Sequence, residues 1–255
     1  MWTKLHFYTI LPTFIVLIGL AALVAWLLKN KSERARNLPF QILAVGLLIL
    51  ELIKQVKSFD ANGYNRYSLP FHFCSLFLYA YPLHAFYKGK YKHVSDTIAF
   101  SCGAALFFFM LVMPTVVYSD GNIRNYFKTY GDFHTVTFHA YACFYFFLMV
   151  AMKAIKFDTK RDVKVISCFF AGYVVVATAM SYIVGENFHN LRRCNLQAGE
   201  DIRLAIVNNI GWIGQALYTV VLFILTILFA LIAYFTVKGL LWLGQKAWSK
   251  IKKAS

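Results

Sequence analysis

The stretch LAIVNNIGWIGQALYTVVLFILTILFALIAYFTV, residues 204–237, carries no charged side chain. A helix crosses the hydrocarbon core of a bilayer with about 20 apolar residues. The run therefore reads as a membrane span, and it is too long for one untilted crossing. Asn208-Asn209-Ile210-Gly211 is the expected break, because asparagine and glycine favour turns. The rest of the chain agrees with this reading. Of its 255 residues, 60 % are hydrophobic and 15 % charged, against about 45–50 % and about 25 % in soluble domains. A soluble fold could not hide so much apolar surface, and a disordered chain would not carry it. Aromatics at 18 % also exclude a low-complexity chain. A polytopic membrane protein remains.

Outward from this run, six more candidate spans appear: residues 5–28, 37–55, 69–87, 96–118, 133–152 and 165–184. Pro39 opens the second. Ser68 is a candidate N-cap for the third, which holds Pro82 inside. The first has one lysine before it and no small-residue cleavage site after it, which argues against a signal peptide. No internal repeat and no separate soluble domain are visible. The expected fold class is all-α: a polytopic membrane protein with seven transmembrane helices, residues 1–238 forming one domain. Residues 239–255 hold Leu240, Leu241, Trp242, Leu243 and Trp248 among lysines. They read either as a basic amphipathic cytoplasmic tail or as a plain stop-transfer flank.

The net charge of +15 suggests nucleic acid at first sight, but its distribution describes orientation. With seven spans, the loops around 29–37, 88–96 and 153–164 share one side with the tail. That side holds seventeen bases against four acids, net +13, and the other side nine against seven, net +2. Basic residues collect in cytoplasmic loops, so the N-terminus is expected outside and the C-terminus inside. The expected partners are membrane lipids, with anionic head groups at the basic inner face, and no nucleic acid.

Polar groups inside spans are costly and are functional candidates by default. Four spans place such groups at the outer level: Glu51, Lys54 and Gln55; His72 and Cys74; His134, Thr135, Thr137 and His139; and Asn187 with His189 after the sixth span. The inner half offers His84, Cys102 and Cys168. On a regular third helix, Cys74 would lie roughly 8–10 Å below the helix start at 1.5 Å per residue. His72, two residues away, would point to the other side, so a base for the thiol must come from another helix. His139 would sit about 9 Å deep in the fifth span, level with Cys74, while His134 would lie at the interface. A thiol beside an imidazole can form the thiolate that acyl transfer needs. Otherwise the two are unrelated polar residues that satisfy backbone groups. Glu51 and Lys54 share a helix face and can pair, either to fix packing or to form a polar wall that grips a lipid head group. Five cysteines with no CxxC imply neither a disulfide framework nor zinc, and no HExxH-type pair marks a metal site. No metal and no cofactor are expected.

Ser68-Leu69-Pro70-Phe71-His72-Phe73-Cys74-Ser75-Leu76 resembles the LPLHLC signature of the YwaF-like integral membrane family, which includes the vertebrate acyltransferase called transmembrane protein 164. The Glu51 turn, the Met113-Pro114-Thr115 step and the FHxxxFH stretch from Phe133 to His139 are similar as well. The family pattern has an Asn-Tyr pair after the sixth span. Asn187-Phe188 stands there in this chain, without the hydroxyl. The resemblance implies an intramembrane thiol-dependent acyltransferase or lipase that acts on phospholipid or lysophospholipid acyl chains, in the cell membrane of a bacterium. Cys74 would be the nucleophile, activated by a fifth-span histidine, His139 or else His134. Glu51, Lys54, Gln55, His72, Asn187 and His189 would line the substrate site, with a lipid acyl donor and acceptor as partners. The alternative is a multi-pass transporter or small-molecule receptor with a polar pocket at the same place.

Overall fold

In a computed structural model of the chain, residues 2–61 and 63–254 are described, without the side chains of Val116, Trp248 and 251–254. Trp248, Lys252 and Lys253 of the expected tail thus lie outside the described side chains. The helices are α1 (Lys4–Leu27), α2 (Glu33–Lys57), α3 (Phe77–Phe86), α4 (Lys92–Val112), α5 (Pro114–Val117), α6 (Asp120–Arg124), α7 (Tyr130–Ala151), α8 (Thr159–Val184), α9 (Gln197–Ile210) and α10 (Trp212–Ala254). One small antiparallel ribbon pairs β1 (Phe59–Asp60) with β2 (Gly63–Tyr64). The fold is all-α and built for a membrane. Among the described residues, α1, α2, α4, α7, α8 and α10 are long and apolar enough to cross one.

Three boundaries differ from expectation. The helix expected from Leu69 starts only with a 3-10 turn at Phe73–Leu76 and becomes α at Phe77. Its apolar part, Phe73–Phe86, is shorter than the six full-length segments. The fourth helix ends at Val112 rather than running to Tyr118. Pro114 disfavours helical backbone at the residue before it, and Met113 has left the helical region, at φ −141° and ψ 66°. Pro39 lies inside α2, which starts earlier, at Glu33, with Ser32 as its cap. The break expected near Gly211 is present: Gly211 has φ 61° and separates α9 from α10. Helix α10 then runs unbroken through residues 239–254, so the boundary before the tail is one of composition, not of backbone.

Side-chain contacts orient the short helix. Asn37, near the start of α2, donates to the Ala85 carbonyl at the end of α3 (2.7 Å). His84 Nε2 lies 3.6 Å from Asp96, near the start of α4. Helix α3 therefore runs antiparallel to both neighbours and returns the chain from one end of the bundle to the other. The core lies where α3, α4 and α7 meet. Tyr81 and Tyr145 stack there at 3.8 Å and 6°. The Tyr81 hydroxyl donates to Ala142 O and that of Tyr145 to Tyr81 O, both at 3.0 Å. A Cβ at Gly103 would stand 2.6 Å from the Phe146 ring and 2.8 Å from its Cβ. Only glycine lets α4 approach α7 this closely. Large apolar side chains such as Ile15, Ile18, Leu225 and Leu228 remain exposed on α1 and α10, as suits helices that face lipid.

Candidate functional site

The site collects at the end of the bundle where α2 finishes and α7 starts. Glu51 is buried there. Its Oε1 pairs with Lys54 Nζ at 2.8 Å and accepts from Gln55 Nε2. A buried carboxylate without such partners would cost several kcal/mol. Its other oxygen, Oε2, faces His134 Nε2 at 3.5 Å. That is beyond a strong hydrogen bond, and His134 Nε2 is buried with no hydrogen-bond partner. His134 is thus packed inside the bundle.

The loop before α3 is shaped by its carbonyls. Backbone oxygens need donors, and four in this loop find side chains instead of helix. Gln55 Nε2 donates to Ser68 O (2.8 Å), and His72 Nε2 donates to Tyr67 O (2.9 Å). The hydroxyls of Tyr79 and Tyr173 donate to Pro70 O and Phe71 O, each at 3.2 Å. These bonds hold residues 68–71 off the helix and set Cys74 in the 3-10 turn at the mouth of the site.

The register of Cys74 follows from its neighbours. In a 3-10 turn, residues three apart eclipse, so Cys74 stands over Phe77. Phe77 touches Phe138 (ring centroids 6.3 Å), and His134 stacks on Phe138 (5.2 Å, 24°). Cys74 and His134 each lie about one turn towards the mouth from that contact. The thiol is also within electrostatic reach of Lys54 and Glu51, and of Tyr67 and Tyr173. His139 has partners of its own. Its Nδ1 donates to Thr135 O (2.6 Å), and its ring lies near Tyr118 (6.2 Å). No hydrogen bond joins it to Cys74 among the described residues. The two histidines are five residues apart on a regular helix and so face different directions.

The remaining candidates surround this cluster. His72 packs against Tyr67 and Phe188 (4.4 and 5.1 Å). His189 stacks on Phe73 (5.6 Å, 19°) and bonds Thr226 through Nε2 (2.8 Å). Burial first, and then the nearby His72 charge, pushes its pKa down to about 4. Among the described residues, Asn187 bonds its own loop: Nδ2 donates to Arg193 O and Asn195 Oδ1, and Oδ1 accepts from the Arg192 and Arg193 amides. Burial, followed by Cys74 and Glu186, pushes the Tyr67 phenol up. Among the described residues, no group of three or more His, Cys, Asp or Glu side chains is gathered as a metal site.

Four tyrosines belong to the site that the sequence reading passed over: Tyr64, whose hydroxyl donates to Gln55; Tyr130, which donates to Leu50 O at 2.8 Å; and Tyr67 and Tyr173. Tyr130 had a local signal, since it lies four residues before His134 on the same helical face. The others arrive through tertiary contacts.

The family model described as "TMEM164 family" matches residues 1–233 of the chain. Neither a curated protein nor a solved structure matches it.

Proposed function

The chain belongs to the TMEM164 family, and from that premise we propose that it is an intramembrane thiol-dependent acyltransferase that moves acyl chains between phospholipids and lysophospholipids. The observation that carries the reading is the buried Glu51–His134 contact at 3.5 Å, at the end of the bundle where the 3-10 turn sets Cys74. Nucleophile, imidazole and orienting carboxylate form the constellation that thiol catalysis requires. The sequence nominates His139 as the base. Register and the Glu51 contact favour His134.

In this mechanism Glu51 holds His134 through Nε2–H, which leaves Nδ1 to take the thiol proton. The thiolate attacks the ester carbonyl of the donor lipid. The C–O bond breaks, the lysolipid alkoxide leaves with the proton held by His134, and the acyl group stays on Cys74 as a thioester. An acceptor hydroxyl gives its proton back to His134, attacks the thioester and frees the thiol. The Lys54 ammonium faces the negative charge that develops on the carbonyl oxygen. In this proposal the end lies in the outer leaflet, which the charge asymmetry of the loops supports; the membrane is a bacterial cell membrane, with the tail and the basic loops against anionic head groups inside.

The test is acyl transfer to lysolipid in proteoliposomes. Cys74→Ala abolishes it while protein yield and thermal stability stay near those of the unaltered chain. Activity that survives Cys74→Ala overturns the proposal. A transporter or receptor is the second reading, and the break at Gly211 favours it because transporters often use broken helices. Equilibrium binding of a polar solute, with an unreactive Cys74, would support it.

A further inference from the structure

We propose that an apolar trough along α8 holds the acyl chain of the donor lipid, with the reacting carboxyl end turned towards Cys74; this rests on the acyl-transfer reading. Two adjoining cavities form the trough. The upper one, about 540 Å³, lies between the 70–79 segment and α8, and its walls include Phe71, Tyr79, Gly172 and Tyr173. The lower one, about 420 Å³, lies between α4 and α8 and reaches Lys164. They share Cys168 and Phe169. On α8 the lining recurs from Lys164 to Val176 along one face, about 18 Å at 1.5 Å per residue. That exceeds half the thickness of a hydrocarbon core of about 30 Å.

Three observations choose the occupant. The lining is almost wholly apolar, and α8 is one of the membrane-crossing segments, so hydrocarbon is the medium that fills the trough. Its floor is left open at Gly172, where a Cβ would meet nothing within 4 Å. Its upper end adjoins the site, because Tyr173 lines the trough, bonds the Phe71 carbonyl in the Cys74 loop (3.2 Å) and stands within electrostatic reach of Cys74. A chain lying here would have its tail at Cys168 and beyond, and its carboxyl end near Tyr173.

The test is photo-crosslinking in phosphatidylcholine vesicles doped with a phosphatidylcholine that carries a diazirine near the end of one acyl chain. The unaltered protein and Cys74→Ala are both used, so that binding is read apart from turnover. Crosslinks are expected between residues 164 and 176, at least five-fold above those on the lipid-facing side chains Ile15 and Ile18. Gly172→Phe fills the floor and Cys168→Trp blocks the junction. Each should cut the 164–176 crosslinks at least five-fold and shift transferred chains towards shorter ones. Equal labelling of α8 and α1, or labelling unchanged by both substitutions, overturns the proposal. A thioester assay on the unaltered protein runs beside it. Crosslinks in the trough with no acyl group ever found on Cys74 would overturn the acyl-transfer reading and the trough's tie to the thiol, while leaving a lipid site on α8.

Discussion

Glu51 and His134 face each other across α2 and α7, Oε2 to Nε2 at 3.5 Å, with only about a tenth of each side chain exposed. The pair lies deep enough for its orientation to matter and is loose enough to tighten when substrate arrives, as catalytic hydrogen bonds often do. His134→Gln should lower acyl transfer about 10²–10⁴-fold, the usual contribution of a general base. Glu51→Gln should cost on the order of 10²-fold or more by freeing the imidazole to adopt the wrong tautomer. It should also lower stability by about 1–3 kcal/mol, because Lys54 loses its partner. Initial rates and thermal melts of both variants check this.

His139 makes a contrasting prediction. Its Nδ1 serves the Thr135 carbonyl, so His139→Gln should leave Cys74 acylation within about ten-fold of the unaltered rate, well inside the loss expected for a missing base. Acylation measured side by side in His134→Gln and His139→Gln decides between the two histidines. A larger loss in His139→Gln would restore His139 as the base.

The origin of that choice shows how far the sequence can be read. The apolar runs, the break at Gly211 and the gathering of Glu51, Cys74, His134 and His189 at one end were all legible, because hydrophobic length and alternation dictate them. The start of the third helix was not. Ser68-Leu69-Pro70 has the pattern of a helix start, yet Gln55, Tyr79 and Tyr173 take the nearby carbonyls. Those donors come from up to 102 residues away, and no local pattern contains them. Moving the helix start to Phe77 sets Cys74 in the 3-10 turn before it, and that register is what makes His134 the base in the proposed mechanism.

The close approach of α4 and α7 predicts a packing defect. Gly103→Val must displace Phe146, whose Cβ stands 2.8 Å from the site of a new Cβ. Overpacking of this kind costs about 1–3 kcal/mol. A lowered melting temperature, with the Cys74 site still reactive in the folded fraction, is the expected result.

His189 gives a pH signature. Its folded pKa of about 4 lies below its ordinary 6.5, so the folded chain holds it neutral where the unfolded chain binds a proton. Stability therefore rises with pH across this window and is lost as pH falls from about 6.5 towards 4. His189→Gln should flatten that part of a pH series of thermal melts.

Orientation is tested by a membrane-impermeant maleimide on intact cells. In a chain otherwise free of reactive surface thiols, Arg124→Cys should label from outside and Lys88→Cys only after permeabilisation, as the net charges of +2 and +13 on the two sides require. The reverse pattern would invert the topology.

The most direct measurement is mass spectrometry of the peptide that contains Cys74 after incubation with phospholipid vesicles. The account predicts a hydroxylamine-labile acyl thioester on Cys74 that is absent in Cys74→Ala and strongly reduced in His134→Gln. Acyl transfer that proceeds in Cys74→Ala, with no thioester on Cys74 of the unaltered protein, would contradict it.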